Sequence, residues 1–204
     1  IPEAWLVKYG DLFAMSETQG TAEKPVLKKY HLNLLMELQE GNLAKIHMSE
    51  RLRQLRTFTG IKDYPLPLTF NGSLRPYQKA GYNWLRFLNE FHLGGCLADD
   101  MGLGKTVQTL ALLQSEKEKG NVGTSLLVMP TSLIYNWEME ATKFTPQLKI
   151  LVYTGTQRIK DVSRFAKYDV ILTSYGIARL DVELLSQFRF NYIILDESQV
   201  IKNP

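Results

Sequence analysis

The last two thirds of the chain alternate short apolar runs with helical stripes. Each run is nearly continuous in apolar residues, which is typical of strands that are buried on both faces. Such strands form parallel sheets that are covered by helices on both sides. The sequence therefore predicts an α/β fold with five parallel strands, over residues 95–98, 125–129, 149–153, 169–173 and 192–195.

Helical stripes, with apolar residues three and four positions apart, fill the intervals between these runs. Gly120 closes the first predicted helix and Pro146 stops the second. The helices are predicted over residues 106–119, 132–144, 157–167 and 177–188. Another helix precedes the first strand, and we expect one of its faces to lie in the core. That face carries Tyr77, Ala80, Gly81, Trp84, Leu85 and Leu88.

The first seventy residues follow a different pattern, of short helices separated by breakers. Apolar residues at helical spacing lie between Pro25 and Gly41, and Ser49 is suited to cap a second helix. Two prolines and an Asn-Gly pair then predict an extended connector. We therefore divide the chain into a helical N-terminal segment (1–64), a connector (65–73) and an α/β lobe (74–204).

The amino-acid composition limits the classes of protein to which this chain can belong. The 204 residues are 45% hydrophobic, enough for one compact core and a small appendage. No apolar run approaches the ~18 residues that span a bilayer, and no secretory leader opens the chain. The single cysteine, Cys96, has apolar neighbours, so we expect a buried thiol and a cytoplasmic protein, with association with the nucleoid left open. A net charge of +3 permits nucleic-acid binding but does not predict it.

The stretch LADDMGLGKT (97–106) has the pattern of a phosphate-binding loop between a strand and a helix. Backbone N–H groups around Gly102, Leu103 and Gly104 can surround phosphate oxygens. Lys105 would reach the β- and γ-phosphates, and the Thr106 hydroxyl would bind magnesium. One residue departs from the general pattern, which has glycine at the position of Asp99.

Two adjacent carboxylates, Asp196 and Glu197, follow the last predicted strand. In phosphoryl transfer to water, one carboxylate holds the magnesium and another orients or deprotonates the attacking water. We assign the first role to Asp196 and the second to Glu197. The simpler alternative is an acidic loop after a buried strand, and the phosphate loop upstream favours the catalytic interpretation.

Five stretches together resemble, in order and spacing, the first half of the SWI/SNF-type helicase-like ATPases of superfamily two. They are LRPYQ (74–78), DDMGLGKT (99–106), MPTSLIYNW (129–137), ILTSY (171–175) and DESQVIKN (196–203). In this family an aspartate or alanine commonly replaces the first glycine of the loop, as Asp99 does. The resemblance implies a RecA-like P-loop lobe over about residues 70–204. Residues 5–13 are similar to the helical lead-in of prokaryotic members.

The resemblance also implies ATP and Mg²⁺ as cofactors. Gln78 would recognise adenine through the hydrogen bonds of its amide, with Arg75 nearby, which would favour ATP over GTP. Magnesium would be held by Thr106 and Asp196. The remaining nucleotide contacts would come from Asp100, Met101, Gly102, Leu103, Gly104 and Lys105.

Two further stretches correspond to family motifs that grip the phosphates of one DNA strand. Such contacts hold register without reading sequence, so affinity for double-stranded DNA should fall steeply with salt. Trp137 shares a helical stripe with Ile134 and Ala141, and we expect it in the core instead of stacking on a base. The residues implied in DNA contact are Thr131, Ser132, Asn136, Thr173, Ser174 and Tyr175.

In the family, ATP lies between two RecA-like lobes, and the second lobe supplies an arginine finger. The 204 residues contain no second-lobe motif, so we expect this chain to bind ATP weakly and to hydrolyse it hardly at all. Gln199 stands where many members have histidine, at a position that couples the nucleotide to the partner lobe. Glutamine keeps the hydrogen-bonding capacity of that position but does not titrate.

Three functions remain open on this basis. The first is a DNA-stimulated ATPase that moves along duplex DNA and displaces DNA-bound proteins. The second is an RNA helicase of the same superfamily, which would carry a different adenine motif and a D-E-A-D-like box. The third is a nucleotide-sensing or protein-docking module that does not hydrolyse ATP; intact Lys105, Thr106, Asp196 and Glu197 argue against it.

Overall fold

The computed structural model describes residues 59–120 and 123–202. The helices predicted before residue 59, and the lead-in at 5–13, lie outside the described residues. None of the helices in the described part is long and apolar enough to cross a membrane.

A four-stranded parallel sheet forms the centre of the lobe, in the order β2-β3-β1-β4. Leu127 in the central strand β1 lies opposite Leu172 on one side and Ile194 on the other. This confirms the α/β class and four of the five predicted strands. The strands are β1 (Ser125–Met129), β2 (Ile150–Val152), β3 (Val170–Ser174) and β4 (Ile193–Leu195).

The strand predicted over residues 95–98 is wrong. These residues form no ladder with a neighbour, and Cys96 is exposed, so the predicted burial of its thiol is also wrong. The run offers one large apolar side chain, Leu97, beside a glycine and two small residues, so it has little apolar surface to bury. Within the described residues β4 pairs with β1 alone, and Ile193 is 65% exposed at its other edge.

Helices cover both faces of the sheet. The predictions for 106–119 and 132–144 are confirmed to within two residues, whereas 157–167 shrinks to a 3₁₀ turn and 177–188 divides at Asp181. The helices are α1 (Pro76–Phe91), α2 (Lys105–Glu118), α3 (Ile134–Phe144), α4 (Tyr175–Leu180) and α5 (Val182–Ser186). Three 3₁₀ turns span Thr131–Leu133, Val162–Lys167 and Ser198–Lys202.

Alternate residues of β1 point into two cores. Leu127 and Met129 pack with residues of α2 and α3, and this core includes Trp137, which confirms that its ring is buried. Leu126 and Val128 pack on the other face with the second core cluster, which includes Phe165. The continuous apolar pattern of the strand thus reflects two covered faces.

Helix α1 buries a face other than the predicted one. Tyr82 and Arg86 are its buried residues, whereas Tyr77 is exposed. The Arg86 guanidinium lies over the Tyr64 ring and donates to the Tyr82 hydroxyl, and these contacts offset part of the cost of its burial. The burial of Arg86 could not be predicted from the sequence, because arginine is mostly exposed in proteins.

A buried ion pair explains why the helix divides at Asp181. The Asp181 carboxylate accepts hydrogen bonds from the Tyr153 hydroxyl (Oη to Oδ2, 2.7 Å) and from Arg158 (Nη2 to Oδ1, 2.8 Å; Nε also donates). Arg158 also donates to the carbonyl of Gly155 at 2.6 Å. These bonds tie the loop after β2 to the junction of α4 and α5.

We expect Asp181→Asn to lower the free energy of unfolding at neutral pH by about 3 kcal/mol, because it leaves buried Arg158 without its counter-charge. Hydrogen bonds from Arg158 hold the pKa of Asp181 at about 2, below its ordinary 3.8. The stabilisation is therefore complete above about pH 4 and is lost as pH falls towards 2. Urea unfolding of wild type and Asp181→Asn at pH 7 and pH 3 measures both the effect of the substitution and its decrease at low pH. Asp63→Asn, which removes an exposed pair with Lys79, should leave the urea midpoint close to that of wild type.

Candidate nucleotide-binding site

The predicted phosphate loop leads directly into α2. Gly102 and Gly104 have φ of 80° and 79°, a left-handed conformation that glycine adopts without steric cost. Lys105 is the first residue of α2, and its Nζ donates to the carbonyl oxygens of Asp99 (2.7 Å) and Asp100 (3.1 Å). The loop therefore folds around the lysine ammonium, at the N-terminus of a long helix.

Gln108 holds the aspartate that replaces the first glycine of the loop. Gln108 is fully buried in α2, and its Nε2 donates to Asp99 Oδ2 at 3.1 Å. A Cβ on Gly81 would lie 1.9 Å from Gln108 Oε1, so α1 comes this near because residue 81 is glycine. Gln108 was not among the predicted site residues. The only sequence feature that could have indicated it is a polar residue on the inner side of α2, one turn after Lys105.

The structure brings Gln78 onto the phosphate loop. Gln78 Nε2 donates to the Leu103 carbonyl at 3.0 Å, and its Oε1 accepts from the Arg75 backbone N–H at 2.9 Å. A Cβ on Gly104 would lie 2.4 Å from Gln78 Nε2. The residue that we expect to recognise adenine thus contacts the loop that we expect to hold the phosphates.

We expect Gly104→Ala to destabilise the loop more than Gly102→Ala does. Both substitutions force a left-handed backbone on alanine, at ~1–2 kcal/mol. At Gly104 the new Cβ also collides with Gln78, whereas at Gly102 nothing lies within 4 Å. Thermal unfolding of the two variants measures the difference, and equal melting temperatures would contradict the close packing of Gln78 on the loop.

The two predicted carboxylates follow β4 side by side. Asp196 Oδ2 accepts from Trp137 Nε1 at 2.8 Å, and Oδ1 accepts from the Glu197 backbone N–H at 3.0 Å. Glu197 has φ of 51°, which is uncommon for a residue with a side chain and often marks a functional site. Gln199 Nε2 donates to the Glu197 carboxylate.

Lys105, Asp196 and Glu197 line one cleft of about 1160 Å³. The first comes from the start of α2 and the other two from the end of β4, some ninety positions along the chain. Gln199, Asp99, Asp100 and Met101 line the same cleft. Its opposite part is apolar, between α1, the extended segment 93–98 and the edge of β4. The residue predicted to bind phosphates and the residues predicted to hold magnesium and activate water therefore line the same cleft.

The donor set suits magnesium. Mg²⁺ is usually bound through one or two carboxylates together with substrate phosphates and water, not by a protein cage. Asp196 keeps a free lone pair on each carboxylate oxygen after its two hydrogen bonds. Thr106, the second residue of α2, supplies a hydroxyl next to Lys105. Across residues 59–120 and 123–202, no three acidic, histidine or cysteine residues converge as a metal cage.

The two segments implied in DNA contact differ in exposure. Thr131, Ser132 and Asn136 are exposed on the 3₁₀ turn and first turn of α3. The other three side chains make internal hydrogen bonds. Thr173 Oγ1 donates to the Tyr153 carbonyl (2.8 Å), Ser174 Oγ caps α4 by accepting from Ile177 N (3.3 Å), and Tyr175 Oη donates to the Asp196 carbonyl (2.7 Å).

Comparison with known proteins identifies the family. A model of the SNF2-related domain matches residues 77–204. YwqA of Bacillus subtilis, which carries the name of an ATP-dependent helicase/translocase, is 39% identical over 94% of this chain. The TATA-binding protein-associated factor MOT1 of Saccharomyces cerevisiae is 39% identical over 74% of the chain.

A solved structure supports the same assignment. The SWI2/SNF2 ATPase core of Sulfolobus solfataricus, determined in complex with double-stranded DNA, is 42% identical over 69% of this chain, with a TM-score of 0.62. The chain spans 23% of YwqA, 9% of MOT1 and 30% of the Sulfolobus chain. It has the parallel sheet and flanking helices of that core. The chain therefore belongs to the SNF2-related family, the SWI/SNF-type helicase-like ATPases of superfamily two.

Proposed function

We propose that this chain is the ATP-binding lobe of a DNA-dependent ATPase that moves along duplex DNA and remodels protein–DNA complexes. One observation carries the proposal: Lys105 and the pair Asp196 and Glu197 line the same cleft, although they lie far apart in sequence. The Sulfolobus core, solved with double-stranded DNA, supports duplex DNA as the partner.

The predicted residues that line the cleft, together with those of the phosphate loop and α1 beside it, have distinct parts in hydrolysis. Lys105 binds the β- and γ-phosphates, with the backbone N–H groups of residues 100–104 around them. Thr106 and Asp196 hold Mg²⁺, which neutralises the charge that develops on the phosphates. Glu197 orients the attacking water and accepts its proton. Gln78, which already contacts the loop, recognises adenine with Arg75 beside it.

Duplex DNA binds along the exposed segment that begins α3. Thr131, Ser132 and Asn136 contact phosphates there, because their side chains are free on the surface. The segment 173–175 contacts phosphates as well, and its side-chain hydrogen bonds to the protein hold its backbone in place. The affinity should fall steeply as salt rises, because phosphate contacts release counterions.

Hydrolysis requires a second RecA-like lobe. The chain spans less than a third of each relative, so the rest of the machinery lies in the remainder of such proteins. Gln199, bonded to the Glu197 carboxylate, connects the water-activating group to that lobe. We place the ATPase lobe at residues 74–204, after a connector at residues 65–73. We place the protein in the cytoplasm of a prokaryotic cell.

ATP turnover by the full-length protein tests the proposal. It should be measured with duplex DNA, single-stranded DNA and RNA at equal nucleotide concentration and fixed salt. We expect duplex DNA to stimulate turnover most. A larger stimulation by RNA would favour the RNA helicase, and equal rates on all three, or no turnover, would overturn the translocase.

A further inference from the structure

Asp196 is held from two sides by residues of the segments implied in DNA contact. Trp137 donates to its carboxylate at 2.8 Å, and Tyr175 donates to its backbone carbonyl at 2.7 Å. The Asp196 backbone N–H is bonded to the Val128 carbonyl at 2.9 Å, which continues the sheet. Trp137 therefore holds the Asp196 carboxylate and Tyr175 holds the Asp196 backbone, and both donors lie outside the strand that precedes Asp196.

Each donor belongs to a different segment. Trp137 directly follows Asn136 in the first turn of α3, and Tyr175 opens α4 directly after Ser174. Each segment is therefore connected to Asp196 directly by one hydrogen bond. A shift of either segment when DNA binds would consequently turn the carboxylate or move its backbone.

The Tyr175 bond is made by the phenol oxygen alone, which lies 2.7 Å from the Asp196 carbonyl oxygen. Removing the Tyr175 hydroxyl would leave the Asp196 carbonyl without this bond while the ring stays in place.

A simpler account treats Trp137 as a core residue that happens to satisfy its indole N–H. That account predicts a change in stability alone when Trp137 or Tyr175 is altered. If the two segments instead position the Asp196 carboxylate, the same substitutions should change how strongly DNA affects nucleotide affinity, while the protein stays folded.

We propose that Trp137 and Tyr175 are positioning residues that couple DNA engagement to the placement of Asp196 and thereby to binding of the magnesium nucleotide. The inference rests on the proposed function, because it needs both DNA and nucleotide to bind this lobe. By reciprocity of binding free energies, DNA should alter nucleotide affinity by the same factor as nucleotide alters DNA affinity.

The test measures this factor in the full-length protein. The Kd of a non-hydrolysable ATP analogue with Mg²⁺ is determined by calorimetry with and without saturating duplex DNA, and again with EDTA in place of Mg²⁺. We expect Tyr175→Phe and Trp137→Phe each to bring the coupling factor about threefold or more towards 1, the scale of one hydrogen bond. The Mg²⁺-free affinity should be unchanged.

Tyr153→Phe is the matched control, because it removes a tyrosine hydroxyl that bonds a different carboxylate, Asp181, at 2.7 Å. It should keep the wild-type coupling factor. If Trp137→Phe fails to fold, Tyr175→Phe, which deletes one oxygen, still decides the question. Wild-type coupling retained in a folded Tyr175→Phe variant would overturn the inference and leave the proposed function standing. A wild-type protein without any coupling between the two affinities would also overturn the inference, whereas the proposed function is overturned only if duplex DNA fails to stimulate turnover.

Discussion

Glu197→Gln should lower ATP hydrolysis by the full-length protein by about 10²- to 10⁴-fold, the usual contribution of a general base. Glutamine has nearly the same shape but cannot accept the proton of the attacking water. Glu197 lines the cleft together with Lys105, and its left-handed backbone fixes the direction of the side chain. Binding of ATP should stay within about twofold of wild type, because the nucleotide contacts are assigned to other residues.

The measurement is steady-state turnover with saturating duplex DNA, together with nucleotide affinity from a fluorescent ATP analogue. Glu138→Gln serves as the control, since Glu138 is an exposed glutamate on α3. It should hydrolyse ATP at the wild-type rate. Turnover by Glu197→Gln within threefold of wild type would show that another group activates the water.

Lys105→Ala should weaken nucleotide binding about 10- to 100-fold, because it removes a charge-assisted hydrogen bond to phosphate. Hydrolysis should fall further, by about 10³-fold, since the lysine also stabilises the charge that develops in the transition state. The two variants therefore separate binding from chemistry: Glu197→Gln binds but does not hydrolyse, whereas Lys105→Ala does neither well.

The loss in Lys105→Ala has to be distinguished from collapse of the loop, because the lysine donates to the carbonyls of Asp99 and Asp100. Thermal unfolding without nucleotide should differ from wild type by a few degrees at most, since these bonds lie at a partly exposed site. Lys167→Ala, at an exposed lysine of the 3₁₀ turn, should leave both affinity and rate unchanged. Wild-type affinity in Lys105→Ala would contradict the assignment of the loop.

Much of the sheet could be predicted from the sequence, because strands buried on both faces leave continuous apolar runs. Strand β1 shows why this works: Leu126 and Leu127 enter different cores and both must be apolar. The segment 95–98 shows where it fails. A short run with one large side chain gives the same local signal whether or not a neighbour pairs with it.

Candidate site residues could be named from the sequence, but their contacts could not. The glycine spacing and the carboxylate pair indicated Lys105, Asp196 and Glu197 without any structure. Bonds such as that of Gln78 to the Leu103 carbonyl or of Trp137 to Asp196 join residues 25 and 59 positions apart. Local propensity carries no information on which distant partner a side chain meets, and the position of Gln108 on the inner side of α2 does not identify Asp99 as its partner.

We propose that this chain forms one wall of a cleft that a second lobe completes. The most direct test of this proposal compares the isolated 204-residue chain with the full-length protein on the same duplex DNA, with ATP affinity and ATP turnover measured for both. The account predicts that the isolated chain binds ATP but turns it over about 10³- to 10⁵-fold more slowly, the usual cost of losing an arginine finger. Turnover by the isolated chain at the rate of the full-length protein would contradict it.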